Sequence, residues 1–333
     1  MLKITTIGGD GIGNEVLEGA IAVLESLDLN IDFIEAEAGK DCLMKNGTTI
    51  PEETIKSAKK TDATLFGAIT TVSTEKSPII VLRKSLDVYA NLRPVKSFEG
   101  VNSLYKNIDF TIVRENTEGL YCEIESCNED ASQAVAHRLI TKKASERVID
   151  YSFKEAISKE KEKVSCIHKA NVLKETDGLF KETFYEIAKK YPSIEATDYY
   201  VDAMAMYLIT RPDDFQYIVT TNLFGDILSD EAAGLVGGLG LLPSGNIGNK
   251  NGLFEPVHGS APDIEGKNIS NPIAMILSSA MMLDFLNQKH YADKIEKAVE
   301  TVLKNKKIRT PDLGGKNKTM DMANAVIDEL NKD

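Results

Sequence analysis

In NLFGDILSDEAAG, which begins at Asn222, two aspartates stand four residues apart. That spacing puts the Asp226 and Asp230 carboxylates on one face of a helix. Two hard oxygen donors on a rigid element suit Mg²⁺ or Mn²⁺. Glu231 lies about 140° round the same helix and is a poor third ligand. An ordinary acidic helix start, favoured by the helix dipole, would look the same. Three arginines form a second set: Arg83 and Arg93 in LRKSLDVYANLRPVK, and Arg114 in IVREN. Guanidinium forks grip carboxylates through two parallel hydrogen bonds, so several together suit a small polyanion, although most arginines make surface ion pairs. Arg114 ends an apolar run, where its charge must emerge at an edge or find a partner.

Lys169, in CIHKANVLKETDG, follows a strand-like run and precedes a helical one, a frequent position for chemistry in α/β chains. A partly desolvated lysine beside a cation can accept a hydroxyl proton; an exposed loop lysine is the plainer alternative. FEPVHGSAPDIEGKNISNP, from Phe254, is long and rich in turn formers, which in a compact chain usually signals function. It carries His258 and Asp263, and an acidic residue there can bond both ribose hydroxyls of NAD and repel the extra phosphate of NADP. GGDGIGNE, from Gly8, imitates a dinucleotide fingerprint, but Asn14 stands where the last glycine belongs. It reads instead as a tight glycine turn entering a helix.

The elements that must hold these residues alternate. Leu2 to Ile7, Ile31 to Glu37 and Asp62 to Gly67 read as strands. A helix from about Ile12 to Leu27 follows the first, and another, with Pro51 at its first position, precedes the third. This rhythm predicts an α/β sheet that is at least partly parallel. Ile108 to Arg114, Tyr121 to Ser126 and Ala134 to Thr141 are strand candidates without helices between them, which predicts antiparallel hairpins or an arm. Strands resume at Lys163 to His168, Ile194 to Val201 and Tyr217 to Thr220. Helices are expected over Pro272 to Leu286, Ala292 to Lys304 and Thr319 to Leu330.

The 333 residues carry 39 Lys and Arg against 51 Asp and Glu, a net charge of −12, which disfavours general nucleic-acid binding. No run reaches 18 apolar residues, MLKITTIGGD reads as an opening strand rather than an export signal, and the four cysteines lack paired spacing. A cytoplasmic protein is expected.

Taken in order, GGDGIG, RENTEGLY, HKANV, GDILSD, HGSAPDI and TPDLGG resemble the β-decarboxylating dehydrogenase family, which holds the isocitrate, isopropylmalate, homoisocitrate and tartrate enzymes. The resemblance covers nearly the whole chain. It implies an isopropylmalate/isocitrate dehydrogenase-like two-domain α/β fold that is not a Rossmann fold. A large domain from both chain ends, 1–97 plus 237–333, would surround an inserted small domain, 98–236, with a β arm that clasps a second copy in a homodimer. It also implies roles. Arg83, Arg93 and Arg114 look like the clamp on the substrate carboxylates. Tyr121 resembles the acid that protonates the enol carbon. Lys169 looks like the base for the hydroxyl and Asp202 like a metal ligand, both reaching in from the partner, while Asp226 and Asp230 complete the site for Mg²⁺ or Mn²⁺. Asn171 resembles the residue facing the nicotinamide. Glu255, His258, Gly259, Ser260, Ala261, Asp263, Ile264 and Asn271 resemble the rest of the cofactor site. The NADP-using branch carries lysine and tyrosine where Asp263 and Ile264 stand, which implies NAD. Non-catalytic subunits of the family lose members of the proton-transfer and metal set, and here all are present.

Family members share a malate core and differ in the group on C3. The stretch before Arg83 discriminates among them: Ser77 fits a polar distal group, whereas Ile79 and Ile80 fit an apolar one. SPIIVLR is most similar to homoisocitrate enzymes, so the resemblance implies homoisocitrate as substrate, with 3-isopropylmalate as the alternative and isocitrate behind both. Some homoisocitrate enzymes carry arginine where Ile80 stands.

Overall fold

The computed structural model describes residues 1–72 and 74–332. Its strands, in chain order, are β1 (Leu2–Gly9), β2 (Ile31–Glu35), β3 (Ala63–Ala68), β4 (Ala90–Lys96), β5 (Asp109–Glu115), β6 (Glu125–Cys127), β7 (Ala134–Ala136), β8 (Lys163–His168), β9 (Glu195–Tyr200), β10 (Tyr217–Thr220), β11 (Pro243–Ile247) and β12 (Gly252–Pro256). The chain divides into two compact units. Met1–Val88, Lys96–Asn107 and Ala233 onward make the first; Tyr89–Val95 and Ile108–Ala232 make the second.

In the first unit the strand order is β2-β1-β3-β12-β11. β1 runs parallel to β2 and β3, and β3 parallel to β12; only β11 and β12 are antiparallel. Every residue of β3 is buried, as expected of a strand covered on both faces. Helix Gly13–Glu25 buries Val16, Leu17, Ala20, Val23 and Leu24, a stripe at helical spacing. Helix Ile273–Phe285 is apolar on nearly every side and packs on helices Gly13–Glu25 and Lys289–Asn305 and on β11 and β12. In helix Glu52–Lys60, two acids open and two lysines close the helix, complementing its dipole. Pro51 caps that helix in extended conformation instead of occupying its first turn.

In the second unit the order is β4-β5-β10-β8-β9, and β5, β10, β8 and β9 run parallel. Helices Lys142–Ser158 and Thr176–Ala188 pack on each other and on these strands. The mixed α/β architecture agrees with the sequence expectation. The arm differs in detail. Tyr121 lies in a single 3₁₀ turn, Leu120–Cys122, and the extended run begins only at Glu125 because Glu123 is left-handed, at φ +58°. β7 ends at Ala136 instead of Thr141, whose hydroxyl is needed to cap the next helix by accepting the Ala144 N–H. β6 and β7 form an antiparallel pair with no buried residue. No helix among the described residues is long and apolar enough to cross a membrane.

Candidate active site

The second unit holds two clusters of expected site residues. The first is built on helix Asn222–Val236, which begins just after β10. Asn222, Asp226, Ser229 and Asp230 share one face of it. Arg114, at the end of β5, lies across this face with its side chain 2% exposed. Its Nε and Nη2 donate to Asn222 Oδ1 at 2.9 and 2.7 Å, and its Nη1 donates to Asp226 Oδ1. The crossing is close enough that a Cβ on Gly225 would come within 2.7 Å of the Arg114 stem, so only glycine fits there. Arg93, on β4, donates from Nη1 to Ser229 Oγ at 2.5 Å and from Nε to Asn91 Oδ1 at 2.8 Å. The same Nη1 lies 3.2 Å from Asp226 and 3.7 Å from Asp230. Two buried guanidinium groups thus converge on one carboxylate, a charge-assisted arrangement of the strong kind.

Tyr121 completes this cluster. Its hydroxyl donates to Asp226 Oδ2 at 2.5 Å, and the Arg114 guanidinium sits 4.9 Å from its ring centre. Burial, and then the bond to Asp226, push its phenol above the ordinary range. The phenol therefore keeps its proton at neutral pH. Burial likewise pushes the Asp230 carboxyl up, with neighbouring Asp226 adding to the effect, although Asp230 remains open to solvent.

The second cluster gathers around the end of β8. The Lys169 ammonium donates to Asp202 Oδ1 and lies 5.8 Å from the Tyr200 ring centre. That hydrogen bond holds the Asp202 carboxyl below its ordinary range. Asn171, two residues on, is exposed. Among the described residues no three His, Cys, Asp or Glu side chains gather where one cation could sit. Asp202 is therefore not joined to Asp226 and Asp230 within a single chain.

The first unit holds the remaining candidates. Arg83 Nη2 donates to Glu255 Oε1 at 2.7 Å, and Asn246 Nδ2 donates to the same oxygen at 2.8 Å. Among the described residues, Arg83 Nε is buried without a hydrogen-bond partner. A buried donor of this kind costs about 1–3 kcal/mol unless something accepts from it. Arg83 stands in helix Pro78–Leu86, which Ser77 heads without a side-chain capping bond. Ile79 packs against the core residues around Leu82 and Leu86, whereas Ile80, three residues before Arg83, remains half-exposed.

His258, Gly259, Ser260, Ala261, Asp263 and Ile264 lie on one loop after β12. The loop is anchored by Ile12 N–H donating to Ser260 O at 2.9 Å, and by the Thr70 and Ser260 hydroxyls, 2.8 Å apart. The GGDGIG turn provides that anchorage, with Gly11 at φ +58° pressed against Ser260. Asp10 ties the turn down by accepting the N–H groups of Lys40 and Thr70, each at 2.8 Å. The turn is thus a support for the loop. His258 Nδ1 lies 3.0 Å from Gly259 O, so it carries the proton, and Nε2 is left as a buried acceptor with no partner among the described residues. Burial pushes this imidazole down, toward its neutral form. Asp263 is exposed. Asn271 closes the loop by accepting the Ile273 N–H at 3.0 Å and donating to Asp312 at 2.9 Å. Ser229 and Asn222, which hold the arginines, were not singled out from the sequence, although their spacing from Asp226 places them on its face.

Comparison with known proteins identifies the family. The family model described as isocitrate/isopropylmalate dehydrogenase matches residues 3–326. A 3-isopropylmalate dehydrogenase from Methanothermobacter thermautotrophicus is 56% identical over 329 residues, covering 99% of this chain and 98% of the relative. A homoisocitrate dehydrogenase from Methanocaldococcus jannaschii is 52% identical over 348 residues, covering 100% and 99%. Among solved structures, an isocitrate dehydrogenase from Methylococcus capsulatus superposes with a TM-score of 0.96 at 44% identity, covering 99% of both chains.

Proposed function

The chain belongs to the isocitrate/isopropylmalate dehydrogenase family, and from that premise we propose that it oxidises and decarboxylates 3-isopropylmalate with NAD⁺ and Mg²⁺ or Mn²⁺, in sites shared between two copies. The observation that carries this reading is the convergence of Arg93, Arg114 and Tyr121 on Asp226. It assembles a carboxylate clamp, a proton donor and a metal-binding oxygen around one point.

The donor set fits a hard divalent ion. Asp226 and Asp230 offer oxygens from one helix face, and the exposed Asp202 carboxylate of a second copy supplies a third. When bound, the ion acidifies the C2 hydroxyl and steadies the negative charge left by loss of CO₂. The cofactor loop fits NAD: the orphaned His258 Nε2 can accept from a ribose hydroxyl, and Asp263 can accept from another. Arg93 and Arg114 would grip a carboxylate of the malate core, and the buried Arg83 Nε offers a donor to a carboxylate. Lys169 of the second copy, once neutral, would take the hydroxyl proton; the bound nicotinamide would supply the hydride acceptor. The resulting β-keto acid loses its C3 carboxylate as CO₂, and Tyr121 delivers a proton to C3. The exposed apolar residues of the second unit, including Ile124, Val135, Met206, Ile209 and Ile227, supply the surface such a dimer would cover.

The preference for isopropylmalate rests on Ile80. It stands three residues from Arg83, one helical turn away, where a distal carboxylate would need a cation. A carboxylate set against isoleucine there would lose water without gaining a cation to pair with. The higher identity to the Methanothermobacter enzyme supports the same choice. Homoisocitrate, favoured by the sequence comparison of SPIIVLR, remains the second reading because the Ser77 hydroxyl heads the helix with no capping bond to make. Comparing kcat/KM for 3-isopropylmalate, homoisocitrate and isocitrate tests this. The expected result is a preference of at least about tenfold for isopropylmalate; a preference for homoisocitrate makes Ser77 the deciding contact and overturns the apolar-pocket reading.

Cofactor choice is tested separately. NAD is expected to be preferred to NADP, and Asp263→Lys to narrow the gap by about tenfold or more by replacing repulsion of the 2′-phosphate with attraction. A wild-type enzyme that already prefers NADP contradicts the role given to Asp263.

A further inference from the structure

Lys169 is held by more than its side chain. Its own N–H donates to Asp177 Oδ2 at 2.6 Å, and the next N–H, of Ala170, donates to His168 Nδ1 at 3.1 Å. His168 is fully buried, and its Nε2 lies 2.9 Å from Asp198 Oδ2, which also accepts from Lys181 at 2.8 Å. Because Nδ1 is an acceptor, the proton of this imidazole sits on Nε2, and its tautomer is set by the two bonds together.

Asp177 is the less expected of the two anchors. It is 0% exposed, in the first turn of helix Thr176–Ala188. Its second oxygen pairs with Arg138 Nη1. That guanidinium also donates to Thr176 Oγ1 at 3.0 Å and to Thr221 Oγ1 at 2.9 Å, and lies 5.1 Å from the Phe224 ring centre. Thr221 and Phe224 flank the start of the helix that carries Asp226 and Asp230. One buried ion pair thus connects the main chain of Lys169 to the first turn of the metal-binding helix. A buried pair contributes little to stability compared with apolar side chains of the same volume. What such side chains could not do is accept the Lys169 N–H.

Resting on the role given to Lys169 above, we infer that Asp177, held by Arg138, is a positioning residue that aims Lys169 at the substrate hydroxyl. Neither residue touches substrate; both act through the Lys169 main chain. Misplacing a reacting group by about 1 Å costs on the order of 100-fold in rate.

The test uses the intact homo-oligomer with its substrate, NAD⁺ and metal. Asp177→Asn is expected to lower kcat about 30- to 100-fold with KM for NAD⁺ little changed, and Arg138→Lys to retain more activity than Arg138→Met. The pair Asp177→Leu with Arg138→Met replaces the charges by apolar volume, keeps the fold, and is expected to lose activity as Asp177→Asn does. In a Lys169→Met background these changes should have no further effect, because they act through a side chain already removed. Full kcat in the Asp177 variants overturns the inference, and so does a loss that multiplies with that of Lys169→Met. Should Lys169→Met alone keep full turnover, it is the reading of Lys169 that fails, and the two failures are distinguishable.

Discussion

Asp226→Asn will lower kcat by about 10³-fold or more while leaving affinity for NAD⁺ nearly unchanged. Asp226 accepts from Arg114, lies beside Arg93 and receives the Tyr121 hydroxyl. Asparagine keeps one acceptor oxygen but no charge. The proposed metal site would lose one of its two same-helix carboxylates, and Tyr121 loses the anionic partner that its hydroxyl bonds. The stability cost should be modest, about 1–3 kcal/mol, because Asn222 and Ser229 still accept from the two arginines. Steady-state kinetics beside a thermal melt separate the two effects. A variant that melts normally yet retains more than a tenth of wild-type turnover removes Asp226 from the centre of the site.

Lys169→Met will be the second severe variant, losing about 10²- to 10⁴-fold in kcat, the range for removal of a general base. The Lys169 side chain is largely covered and pairs with Asp202; methionine matches its length without accepting a proton. The main-chain bonds from residues 169 and 170 do not involve the side chain, so the loop should keep its place. Near-full kcat in a correctly assembled variant would assign the hydroxyl proton elsewhere.

Much of this was legible in the sequence because periodicity reports directly on burial. The β-α-β rhythm of the first 67 residues survives in β1 to β3, and the i, i+4 spacing of Asp226 and Asp230 is realised on one helix face. The position of Arg114 at the end of an apolar run predicted that its charge would emerge or be paired, and it is paired. Other features had no local signal. β11 and β12 lie in a stretch dense in glycine, proline, serine and asparagine, residues of low strand propensity; they are strands because the fold buries both, and tertiary context overrides local preference. The arm has shorter strands than its composition implies, since the left-handed Glu123 and the cap at Thr141 interrupt extended runs that composition alone would continue. Asp202 lies 33 residues beyond Lys169, and nothing local ties them; the parallel pairing of β8 and β9 brings them together. Asp177 carries no local signal of its role, since an acid in a helix's first turn is common and only the fold shows that it is buried.

In the proposed enzyme one site draws on two polypeptides, with Asp226 and Tyr121 from one and Lys169 and Asp202 from the other. Subunit mixing measures this directly. Asp226→Asn and Lys169→Met proteins, each nearly inactive, are unfolded together in equal amounts and refolded. If sites are shared, each mixed dimer holds one site with both lesions and one with neither, so activity returns to about a quarter of wild type. If each chain builds its own site, every site in the mixture carries one lesion, and activity stays at the level of the separate variants.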